Sequence, residues 1–142
     1  MSNQGSGRQQ AVEIAVGSVR LGGVLGLPAG ARGVVLFANA TAASRHSARE
    51  IFVASALQEA GLATLLLDLL AEEEAADRAR PFDIELLADR LAGATRWARA
   101  RAEVAGLPVG YLGADTGSAA ALLAAARDRE VGAVVSRGGR PD

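Results

Sequence analysis

The chain has no cysteine, which excludes disulfides, thiolate metal sites and a cysteine nucleophile. Its single histidine, His46, leaves no zinc cluster to build, and no metal or cofactor is expected. Lysine is missing too: all 15 basic residues are Arg, set against 16 acidic ones for a formal net charge of −1. Nucleic-acid binding draws on a basic face that displaces counterions, and this balance argues against it. Aromatic residues make up only 4%, so the core must close by tight packing of alanine and short aliphatics. No apolar run approaches the roughly 20 residues of a membrane span. The opening stretch MSNQGSGRQQ lacks the apolar centre of a signal peptide. A cytoplasmic chain without a membrane partner is the expectation.

What is present fits one domain. At 142 residues the chain can bury a single core, with residues 1–10 as a mobile tail and 11–142 as the domain. AVEIAVGSVRLGGVLGLP alternates around a Gly-Ser turn and predicts a hairpin. GVVLFA is an unbroken apolar run of strand length, the pattern of a strand covered on both faces. After the polar loop NATAASRHS, Ser47 and Glu50 have capping-box spacing. Ile51, Phe52, Ala54, Leu57 and Ala60 are then read as the apolar face of a helix ending at Gly61. LATLLLDLL is a second buried strand, closed by the polar stop Asp68, and AEEEAADRARP is a charged, solvated connection. A long amphipathic helix is predicted over FDIELLADRLAGATRWARARAEVAG, with Ile84, Leu87, Leu91, Thr95 and Trp97 or Ala98 facing inward.

The last third carries the most pointed motif. LPVGYLGA predicts a strand and Ser118 to Arg129 a helix, with GADTG as the turn between them; VGAVVSRGG is one more strand. Strands alternating with helices imply an α/β fold with a mostly parallel sheet of about six strands and helices on both faces. Sites in such sheets lie beyond the carboxyl ends of the strands. Here those ends are NATAAS, DLLAEEE, GADTGS and SRGGRPD.

The hairpin, VVLFANATAASRHSARE, ALQEAGLATLLLDLL, VGYLGADTGSAAAL and AVVSRGGRPD match in order and spacing a known group. Together they resemble the dienelactone-hydrolase-like branch of the α/β hydrolases from about residue 11 onward. The resemblance implies a truncated α/β-hydrolase fold with a Ser or Cys nucleophile on a strand-to-helix elbow. It also implies an oxyanion hole from the backbone after the elbow and after the earlier strand, with an acid and a base from later strands. The corresponding positions here are Asp115 at the apex, Thr116 after it, and Asn39, Ala40 and Thr41 in the earlier loop. The sequence departs from the pattern in three places: an Asp holds the nucleophile position, alanine stands where such loops have glycine, and residues 1–142 include no later acid and histidine.

Each candidate has a plain structural reading beside the chemical one. Asp115 could attack a saturated carbon without a base, as in Asp-nucleophile dehalogenases and epoxide hydrolases, or merely cap the following helix. His46 suits proton transfer by its pKa, yet it stands immediately before a helix, where positioning or capping is the simpler role. Arg45 and Arg137 could hold an anionic small-molecule ligand or be solvated.

Two classes of function stay open. One is a catalytically silent hydrolase-like scaffold or assembly module that pairs through the exposed edge of its last strand, as a homodimer or with a complementary C-terminal half. The other is a hydrolase of the esterase or Asp-nucleophile type, completed by a partner chain.

Overall fold

The computed structural model describes residues 7–39, 47–75, 77, 79, 80 and 83–137. Strand β1 (Arg8–Val16) and β2 (Val19–Leu27) form the hairpin, paired from Arg8↔Leu27 to Val16↔Val19. Strands β3 (Val34–Ala38), β4 (Ala63–Leu67), β5 (Val109–Ala114) and β6 (Val131–Arg137) complete one sheet in the order β1-β2-β4-β3-β5-β6. β3 pairs in parallel with both β4 and β5, and β5 in parallel with β6; the hairpin joins antiparallel through β2 and β4. Because β1 already begins at Arg8, part of the segment expected as a tail belongs to the sheet.

Alternation along the central strands separates two apolar layers. Leu36, Leu65, Leu67 and Tyr111 face helices α3 (Ile84–Arg99) and α4 (Thr116–Ala126), where Leu87, Leu91, Ala94, Ala120, Ala121 and Ala124 meet them. Phe37, Leu66 and Leu112 face the other way, toward Ala54, Val53 and Leu57 of helix α1 (Ala48–Glu59); the short helix α2 (Glu72–Ala75) lies between β4 and α3. Both layers are made of aliphatics and alanine, and each fully buried Leu contributes roughly 1.5–3 kcal/mol.

Ser47 does cap α1, accepting from the Glu50 backbone N–H at 3.5 Å. The expected apolar face of α1 needs correction. Phe52 is 73% exposed and Ile51 45%, while Glu50 and Ala54 are the buried residues. Positions 52 and 54 stand about 200° apart on a helix, so one face could not hold both.

The long helix is shorter than expected: Asp83 caps it at one end, accepting from the Leu86 N–H at 3.1 Å, and it stops at Arg99. Leu87, Leu91, Thr95 and Ala98 are buried as read, and Ile84 and Trp97 pack at the margin. α4 starts two residues earlier than expected and ends at Ala126. No helix among the described residues is long and apolar enough to cross a membrane.

Candidate functional site

The chain leaves β3 toward α1 on one face of the sheet and leaves β5 toward α4 on the other. The carboxyl ends of these two adjacent strands therefore diverge, which opens the crevice where open α/β sheets hold their sites. Asp115 stands at its edge, between β5 and α4.

Asp115 has φ 54° and ψ −125° and is the one non-glycine residue with positive φ among those described. Such dihedrals cost of order 1–3 kcal/mol and persist only where the surroundings impose them. Two glycines impose them here. A Cβ at Gly113 would lie 2.7 Å from the Gly117 carbonyl oxygen and from Ser118 Cα, and one at Gly117 would overlap the Ala38 carbonyl. With neither Cβ present, α4 starts directly against the end of β3, and the Ser118 N–H closes the turn on the Asp115 carbonyl at 3.0 Å.

The helix-cap reading of Asp115 is corrected by this geometry. Its side chain makes no capping hydrogen bond and is exposed. Thr116, the first residue of α4, has a backbone N–H without an intrahelical acceptor, as at any helix start. Asn39 follows β3 at the crevice, and its carbonyl accepts from the Leu69 N–H at 3.2 Å. Asp115, Thr116 and Asn39 thus come together. Ala40, Thr41, Arg45 and His46 lie outside the described residues, as does the side chain of Arg137.

Asp68 is 1% exposed and directly follows β4, its backbone N–H donating to the Gly22 carbonyl at 3.1 Å. The polar stop is thus an interior group. The acidic run after it is expected to be solvated, but Glu74 is held in a buried ion pair. Arg90 Nη1 and Nη2 donate to its two carboxylate oxygens at 2.7 and 2.5 Å, Arg80 to one at 3.1 Å, and the Ala71 N–H to the other at 2.9 Å. The Arg90 hydrogen bonds are the main reason its carboxyl is held at about 2. Arg90 also donates to the Leu69 carbonyl at 3.2 Å. One guanidinium therefore holds the residue whose N–H holds Asn39, so α3 steadies the rim of the crevice from below. Sequence reasoning missed this pair, although Arg90 sits within the inward arc between Leu87 and Leu91, an unusual place for a charge without a partner.

Among the described residues, no group of three His, Cys, Asp or Glu side chains converges to hold a metal. The crevice offers an exposed carboxylate, helix-start N–H groups and backbone carbonyls. An ionised carboxylate placed there can attract a cation or displace a leaving group from a saturated carbon.

No protein-family model matches the chain. Two proteins of Mycobacterium tuberculosis strains, each named "Putative phosphoribosyl transferase", are 53% identical to it over 136 residues, or 95% of this chain. The chain spans 31% of the length of these relatives. Among solved structures, a dienelactone hydrolase from Anabaena variabilis matches with a TM-score of 0.91 and 51% identity, over 96% of this chain and 66% of that one. A dienelactone hydrolase-like promiscuous phosphotriesterase from metagenomic libraries matches at 0.76 and 23% identity, over 95% and 60%. An esterase of Pyrococcus furiosus matches at 0.77 and 18%, over 93% and 51%. The last two likenesses are of fold alone. With six strands in hydrolase order, an elbow with its backbone intact and half its residues shared with a dienelactone hydrolase, the chain has the fold of the dienelactone-hydrolase-like branch of the α/β hydrolases.

Proposed function

We propose that the chain is a hydrolase-fold scaffold module, silent toward esters, that works by pairing through β6. The observation that carries this reading is Asp115 at the elbow apex. A carboxylate attacking an ester carbonyl would give a reactive anhydride, and its own charge opposes the oxyanion that must form. The relatives are in keeping with an accessory role: in them a segment half identical to this chain is 31% of a protein named for transferase activity. The pairing reading is supported by the place of β6 at the end of the sheet among the described residues, with its own Val135 54% exposed.

Incubation of the chain with ester and lactone panels should give no turnover, and Asp115→Ser should add none by itself. Appreciable esterase activity from that single change would overturn the silent reading.

A second reading is favoured by one feature: the strained conformation of Asp115 is kept although its side chain caps nothing. That suits a displayed nucleophile for haloalkanes or epoxides, working in an assembly that supplies the base for hydrolysing the enzyme ester. A covalent adduct on Asp115, seen by intact mass after exposure to haloalkane and epoxide panels, would establish it over the scaffold reading.

A further inference from the structure

The elbow dihedrals have a chemical consequence specific to an acid at the apex. Around the Cα–C bond of an L residue, Cβ and the backbone N stand roughly 120° apart in projection. At the observed ψ of −125°, the following nitrogen, that of Thr116, is therefore nearly eclipsed with Asp115 Cβ, at a torsion of about 0°. That is the torsion required of a planar five-membered ring through Thr116 N and Asp115 C, Cα, Cβ and Cγ. A serine at the apex has no carbonyl carbon to close such a ring; an aspartate has one at the required atom.

Three further observations point the same way. The Asp115 side chain is exposed and makes no cap hydrogen bond, so it is free to rotate Cγ onto the nitrogen. Thr116 is the first helical residue, so ring closure takes no intrahelical bond from its N–H. Gly113 and Gly117 hold the turn, because the elbow depends on backbone approach at both positions. In an unfolded chain a non-glycine residue with positive φ is uncommon. Here the fold supplies the reactive backbone conformation in advance, as near-attack geometry does in intramolecular reactions.

We propose that Asp115 is a self-modification site, at which the elbow closes its side chain onto the Thr116 amide to form a cyclic imide. The protonated carboxyl is attacked by the amide nitrogen, the N–Cγ bond forms, the Cγ–OH bond breaks, and the hydroxyl leaves with the amide proton as one water. Addition of water to the imide at Cγ restores aspartate; addition at the backbone carbonyl gives isoaspartate and lengthens the main chain at the apex. The imide carries no charge and removes the apex carboxylate, so closure switches the electrostatics of the crevice.

The test compares the intact 142-residue chain, folded in mildly acidic buffer, with the same chain in urea, using hydroxylamine to trap imide as the hydroxamate and peptide mapping to place it. Trapped product and isoaspartate at residue 115 are expected to form at least about tenfold faster in the folded chain. Asp115→Glu, whose extra methylene needs a six-membered ring, should form none, and Asp115→Asn should form the same imide with release of ammonia. No product at residue 115, or formation as fast in urea as in the folded chain, would overturn the proposal without reference to whether either variant folds.

Discussion

At the scale of single residues, a buried polar contact joins Thr95 and Tyr111. Thr95 Oγ1 donates to the Leu91 carbonyl at 2.8 Å and lies 2.7 Å from the Tyr111 hydroxyl. With the threonine proton spent on Leu91, the tyrosine is the donor to Thr95. Burial pushes the phenol above its ordinary range, and the Thr95 bond only partly offsets it. The two deletions are therefore unequal. Tyr111→Phe should cost about 1 kcal/mol, because Thr95 keeps its other partner, whereas Thr95→Val strands a buried hydroxyl and should cost about 1–3 kcal/mol. Urea denaturation of both variants measures the difference. Gly117→Ala is a harsher change, since the added methyl meets the Ala38 carbonyl of a central strand. A loss of about 3 kcal/mol or more, or displacement of the elbow seen by crystallography, is expected.

At the scale of elements, the joint between α3 and the segment after β4 depends on one carboxylate. Glu74 is 11% exposed and its pKa falls from 4.5 to about 2 on folding. A depressed folded value means that the contribution to stability is fully present above pH 4.5 and is lost as pH falls through about 2. It amounts to about 3–4 kcal/mol at most, taking each pKa unit as about 1.4 kcal/mol. Glu74→Gln should be less stable than wild type at neutral pH, and the gap should narrow across the window from 4.5 to 2. Denaturation curves at a series of pH values test this; a gap independent of pH would assign the loss to packing.

Elements were also where sequence patterns served well or failed. Apolar runs located β3, β4 and β5 because a strand covered on both faces has no polar position to blur it. α1 was found by its cap, but its buried face was misjudged: composition suggested Ile51 and Phe52, whereas the axis of the helix over β4 decides which side faces the sheet. Glu74 was hidden for a related reason, because its partner lies 16 positions away and no local pattern links them.

At the scale of the whole molecule, the proposed pairing turns on β6. Among the described residues it pairs with β5 and stands last in the sheet order. Two copies joined through it would extend the sheet across a two-fold axis. Light scattering should find dimers of the 142-residue chain, and Val135→Arg, a change at a position 54% exposed, should shift them toward monomer. A monomer at every concentration would rule out self-pairing.

Local chemistry was enough to specify the order of strands and helices, the hairpin, and a sharp turn built on Gly113 and Gly117, because apolar periodicity and glycine act over a few residues. Tertiary contact decided what the turn is. Only the approach of α4 to the end of β3 holds Asp115 at φ 54° and ψ −125° with its side chain uncapped, and only the packing of α3 brings Arg90 to Glu74. Both depend on groups distant in sequence meeting in space, which no short stretch of residues encodes.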